Sequence, residues 1–169
     1  MLKRIVLYCI SVAVAVCLCA CGSGDKTANI NSSDFVCSIN IALDGYTFSG
    51  EMTRPAKGCC TVSITEPSIM DGLTLSVTDC KAKVTYDGIS FDVPEKYSRY
   101  LSALTAMVDA LDAATDVSTR SIKHDGNKTV YSGTSNSGEF QLTAYSSGMP
   151  SSMYIPDLDL KVDFIERSA

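Results

Sequence analysis

The sequence predicts an α+β fold in which one long amphipathic helix covers a curved antiparallel sheet. Three observations predict it. Apolar residues alternate with a period of two between Cys37 and Val93, which is the signature of half-buried strands. The period changes to that of a helix between Tyr97 and Leu111, then returns to two from Thr129 to Phe164. Asp-Gly pairs at 44–45, 71–72, 87–88 and 125–126 stand where antiparallel neighbours need tight turns.

Taken in order, Cys37, Ile39, Ile41 and Leu43 share one strand face, and Ser38, Asn40 and Ala42 the other. Asp44-Gly45 reverses the chain, and Tyr46, Phe48, Gly50 and Met52 return on the same face. A third strand carries Cys60, Val62 and Ile64 inward, with Cys59, Thr61, Ser63 and Thr65 outward. Leu73, Leu75 and Val77 form a fourth, Ala82, Val84 and Tyr86 a fifth, and Ile89, Phe91 and Val93 a sixth. The helix follows, with Tyr97, Tyr100, Leu101, Leu104, Met107, Val108 and Leu111 as its stripe, and Asp92 and Glu95 as a capping box. Residues 116–128 read as a polar loop. Strands resume at Thr129–Tyr131 and Phe140–Ala144, Gly148-Met149-Pro150 makes a break, and Leu158–Phe164 is the last strand.

The chain opens with Lys3 and Arg4, and the sixteen residues Ile5–Ala20 carry no charge. A basic start and an apolar stretch shorter than the ~20 residues of a membrane-spanning helix make an export signal. Leu18-Cys19-Ala20-Cys21 closes it and resembles the lipobox of bacterial lipoproteins, an aliphatic residue and small residues before an acylated cysteine. The resemblance implies cleavage after Ala20 and acyl chains on Cys21, a membrane partner for the mature chain. Cys19 is the poorer candidate, because bulky Leu18 would precede the cut. The expected organisation is therefore a signal over 1–20, a flexible Ser/Gly/Asn-bearing tether over 21–34 and a single domain over 35–169.

Removing Lys3 and Arg4 with the signal takes the formal net charge from −5 to −7. An acidic domain without a basic run is a poor binder of nucleic acid, whose phosphates supply most of that affinity. Of eight cysteines, Cys37, Cys59, Cys60 and Cys80 fall in the domain. They lack the paired C-x-x-C spacing of a zinc site, so no metal is expected. Pairing Ile64 with Leu73 across the turn brings Cys59 near Cys80, within reach of a disulfide. The alternative is that all four stay reduced. Cys60 and Cys37 face inward, Cys60 as a core thiol.

The run Pro67-Ser68-Ile69-Met70-Asp71-Gly72-Leu73-Thr74-Leu75, the closing Gly148-Met149-Pro150 through Ile155-Pro156, and Leu158–Phe164 resemble the LolA-like superfamily of lipoprotein carriers over most of residues 35–166. What the resemblance implies is a half-open antiparallel barrel around an apolar cavity that can hold acyl chains. The pliable and aromatic side chains Phe48, Met52, Met70, Phe91, Met107 and Phe140 are the candidates to line it. The chain departs from those carriers in having one clear helix and no tryptophan.

No G-x-S-x-G, H-E-x-x-H or phosphate loop occurs, and His124, the one histidine, sits beside a turn. An enzyme is not expected, nor a cofactor. Two functions remain. One is a monomeric, extracytoplasmic lipoprotein, anchored to the cell membrane, that binds a lipid or another apolar ligand. The other is a cell-envelope protein with a filled core that binds a protein or glycan through hydroxyl rows such as Thr61, Ser63 and Thr65.

Overall fold

The computed structural model describes residues 30–31, 34–79, 81–92 and 98–166. Six strands come first: β1 (Phe35–Leu43), β2 (Tyr46–Arg54), β3 (Cys59–Glu66), β4 (Thr74–Thr78), β5 (Lys81–Tyr86) and β6 (Ile89–Asp92). The helix α1 (Arg99–Ala113) follows. Then come β7 (Arg120–Asp125), β8 (Lys128–Ser135), β9 (Gly138–Tyr145), β10 (Pro150–Ile155) and β11 (Leu160–Glu166). The two meanders join edge to edge, β1 against β11, in one antiparallel sheet ordered β6-β5-β4-β3-β2-β1-β11-β10-β9-β8-β7.

The α+β expectation is overturned. The fold is overwhelmingly β, and its helical part is a 15-residue α1 with two short 3-10 turns at Ser68–Met70 and Pro156–Leu158. Lengths give the reason. Fifteen residues make a helix of about 22 Å, whereas eleven strands spaced at ~4.8 Å span about 50 Å. So α1 is too short to cover the sheet. Instead the sheet curls, and α1 packs against β4 and β5 on one wing and β8, β9 and β10 on the other. Nine of its residues are buried, among them Thr105, so it is enclosed on most sides rather than laid on a face. Among the described residues β6 and β7 do not pair with each other, and the sheet stays open.

Local chemistry explains the edges of these elements. Asp44 and Gly45 both take positive φ (53° and 80°), as do Asp87 and Gly88 (48° and 76°), the geometry of two-residue hairpin turns. Ser98 caps α1, its hydroxyl accepting from Leu101 N–H at 3.3 Å. The capping box expected from Asp92 and Glu95 is therefore not the cap: Asp92 belongs to β6, and Glu95 lies outside the described residues. At the other end of α1, the fully buried Arg54 donates to Asp112, whose second oxygen accepts from Gly58 N–H at 3.0 Å. Arg120 donates to the carbonyl of Ala114 and lays its guanidinium over the Tyr131 ring.

The concave core combines Ile39, Met52, Val62 and Val77 of the first wing with Tyr131, Phe140, Leu142 and Met153 of the second. Two strands, β7 and β10, lie where a loop and a break are expected. The last strand starts at Leu160 rather than Leu158, which ends a 3-10 turn. Within the segment expected to be a tether, Ile30 is buried, and Asn31 N–H donates to Gly148 carbonyl at 2.8 Å.

Candidate apolar ligand site

Strand direction decides what meets at each end of the sheet. β1 ends, and β2 and α1 begin, beside Asp44, which pairs with Arg99. The β3–β4 connection, with its 3-10 turn, comes to the same end, because Ser49 near the start of β2 lies opposite Glu66 at the end of β3. Between this end of the sheet and α1 lies a cavity of about 170 Å³. Leu43, Phe48, Val62, Ile64, Leu160 and Val162 form its buried wall, and Ala103, Leu104 and Met107 its helical one. Ile41, Met70, Leu73, Leu75 and Val84 line it while half-buried, and Tyr100 while exposed, which marks the opening. Phe48 and Tyr100 meet edge to face, with ring centroids 5.5 Å apart.

The lining contains a single polar side chain other than the Tyr100 phenol, Ser98, and its hydroxyl already serves the helix cap. A ligand with buried polar groups would find nothing to pair them and would lose their hydration. Apolar matter is what fits. Past the opening the concave face runs on through Val84 to its cross-strand partner Phe91, and from Tyr86 to Ile89. Phe91 is 54% exposed.

The six residues singled out from the sequence divide between several places. Phe48, Met70 and Met107 line the cavity. Met52 is fully buried further along β2, between Cys37 and Val62, and Phe140 is buried on the second wing. Phe91 stands outside on β6. Most of the lining is aliphatic, and choosing by side-chain type passed over it. The signal that finds it is position: inward strand residues near the Asp44-Gly45 turn, and the helix stripe from Tyr100 to Met107.

The cysteines form no site with the cavity. Cys60 is buried on β3, and burial pushes its thiol up from 9.0 to about 12, against a smaller lowering by the Arg54 charge. Such a thiol is a packing group, not a nucleophile. Cys37 is buried on β1. Cys59 is a half-buried free thiol on the outer face, directly opposite Thr78. Cys80, the other half of the expected bridge, and Cys21 lie outside the described residues. His124 is exposed on β7, with Nδ1 3.3 Å from Thr129 Oγ1. Among the described residues no cluster of His, Cys, Asp and Glu is placed to hold a metal ion.

No family model and no curated protein matches the chain. Among solved structures, it is similar to an uncharacterized conserved protein from Thermus thermophilus, at 7% identity and a TM-score of 0.47, over 82% of this chain and 80% of that one. It is also similar to a LolA superfamily protein from Nitrosomonas europaea, at 9% identity and a TM-score of 0.44, over 84% of this chain and 90% of that one. Likeness at this level assigns neither a family nor a ligand.

Proposed function

We propose that this chain is a membrane-anchored extracytoplasmic lipoprotein whose cavity holds the end of an acyl chain or a similar apolar ligand. The observation that carries the reading is the cavity: about 170 Å³, walled by aliphatic and aromatic carbon, open on one side. An engineered cavity of ~150 Å³ with such walls stays dry and takes up benzene. Ligand pockets usually measure ~300–1,000 Å³. This one is therefore too small for a whole lipid. It suits the last segment of a chain whose remainder lies along Leu75, Val84 and Phe91. The unfilled space also counts against the filled-core reading. The anchor rests on Leu18-Cys19-Ala20-Cys21 and on two or three acyl chains, each buried methylene adding about 0.8 kcal/mol of membrane affinity.

Ala103 lines the cavity from the helix, so Ala103→Phe fills it from a rigid element. Chain purified from membranes should retain fatty acid or lipid in native mass spectrometry and bind a fluorescent fatty acid. Ala103→Phe should do neither while keeping its circular dichroism. Equal binding by both would refute the cavity. For the anchor, peptide mass analysis should find a lipid adduct on Cys21, and Cys21→Ala should accumulate as precursor. Normal maturation of that variant would refute it.

A further inference from the structure

Large apolar side chains that face solvent gather around the cavity's opening. Ile69 is 85% exposed, Tyr46 64% and Ile89 60%, and Tyr86, Phe91 and Tyr100 are exposed as well. Tyr46, Tyr86, Ile89 and Phe91 all belong to the concave face, as their cross-strand partners Leu43, Ile89, Tyr86 and Val84 show. They face solvent all the same. Exposed apolar side chains around an apolar hole, half of them tyrosine, are suited to a lipid–water interface, where aromatic rings keep a polar tip in water. We infer that this rim docks on a lipid surface other than the one that holds the anchor. The inference rests on the proposed anchor at Cys21 and deepens the reading of the cavity, since it names where the chain end comes from.

Charge selects the kind of surface. Asp44 is paired with Arg99 there, while Glu66, Asp71 and Asp87 are exposed carboxylates on the same end. Among the described residues the exposed charges at this end, Lys161 apart, are mostly carboxylates, which disfavour anionic lipid, so adhesion comes from inserting Ile69, Ile89 and their neighbours into neutral lipid.

Geometry selects the direction. Asn31 is held at the Gly148 turn. That turn leads into Pro150, which lies at the end of the sheet where β1 starts, opposite the rim. The nine residues of β1 separate the two ends by about 30 Å. Cys21 precedes Ile30 by nine residues, which reach at most ~30–32 Å when fully extended. With Ile30 toward its own membrane the domain stands at no cost, rim outward. Turning the rim onto that membrane would require those nine residues to span the full height of the sheet, at the limit of their reach.

The full mature chain, reconstituted into phosphatidylcholine vesicles carrying one fluorescent fatty acid, tests this against a second vesicle set carrying another. Capture of second vesicles of pure phosphatidylcholine is expected, weakened when they contain phosphatidylglycerol. The second label should be acquired ahead of the first. Ile69→Asp combined with Ile89→Asp should reduce capture at least about tenfold, and the native circular dichroism should persist because both residues are exposed. Ala103→Phe should capture vesicles yet acquire no label. Capture without uptake by the native chain would refute the cavity and leave the rim standing. No capture by the native chain, or equal capture by the double variant, overturns the rim. Faster uptake from the anchoring vesicles, or failure of the chain to stay with them, overturns the direction.

Discussion

Leu104→Ala tests how α1 and the cavity depend on each other. Leu104 is almost fully buried and lines the cavity from the middle of the helix. Truncation to Ala removes three carbons, worth about 2.4 kcal/mol at ~0.8 kcal/mol per buried methylene. A residual void adds to this, and measured Leu→Ala costs run to about 5 kcal/mol. Here one side of Leu104 already borders empty space, so fewer contacts are lost and the expected cost is about 2–3.5 kcal/mol. That corresponds to a fall in Tm of roughly 4–14 °C for a domain of this size. Urea denaturation followed by circular dichroism reads the cost as a lower midpoint at unchanged slope. The enlarged cavity should also take a longer chain segment, so added fatty acid should raise the midpoint of the variant more than that of the native protein. A loss below about 0.5 kcal/mol would mean that the helix stripe does not pack on the sheet. A normal loss with no ligand-dependent recovery would mean that the space is not a binding site.

Asp112→Ala should cost about 3 kcal/mol or more in the same assay, because Arg54 is fully buried and loses the carboxylate it donates to. The double replacement Arg54→Met with Asp112→Leu should recover most of that loss, and a double variant as unstable as the single one would contradict it. Burial holds the Cys60 thiol protonated to about 12, whereas the unfolded chain titrates near 9.0. The unfolded state therefore binds fewer protons above pH 9, so stability is full below that pH and falls between about 9 and 12 by up to ~1.4 kcal/mol per pH unit. Cys60→Ala should flatten this alkaline slope, and native Cys60 should alkylate far more slowly than Cys59 at pH 8. Gly50→Ala should destabilise by more than about 1 kcal/mol, since a Cβ there would press into the carbonyl of Ser63, where β2 bulges against β3. An unchanged denaturation midpoint would show that the strands can move apart.

How much of this was legible follows from which signals are local. The Asp44-Gly45 and Asp87-Gly88 turns, and the alternation they separate, identify β1 to β6, and pairing Ile64 with Leu73 gives the β3–β4 register found here. β7 escaped because its sequence Arg-Ser-Ile-Lys-His-Asp has one aliphatic residue and lies exposed on an edge, where no buried face imposes a pattern. β10 escaped for the opposite reason. It begins at Pro150 and buries Ser151, so small polar residues occupy positions where alternation would show. Ile89 and Phe91 alternate as an inward face should, yet they are exposed, because a concave position is buried only if something covers it. Their sequence cannot say that α1 ends its coverage one strand earlier.

That shortfall in coverage connects the fold to the site. Ion pairs fix α1 in place: Arg99 with Asp44 at its start, and Arg54 with Asp112 near its finish, where Gly58 N–H adds a hydrogen bond. Between those fixed points its 15 residues fill the curl beside β8, β9 and β10, and meet the first wing mainly at β4 and β5. The apolar face of a sheet wider than its helix must then end either in a void or in solvent, and here it does both. Leu73, Leu75 and Val84 border the void, and Tyr86, Ile89 and Phe91 continue into solvent. A longer helix or a narrower sheet would remove both at once. The cavity and the exposed concave face of β5 and β6 are thus one feature with one cause.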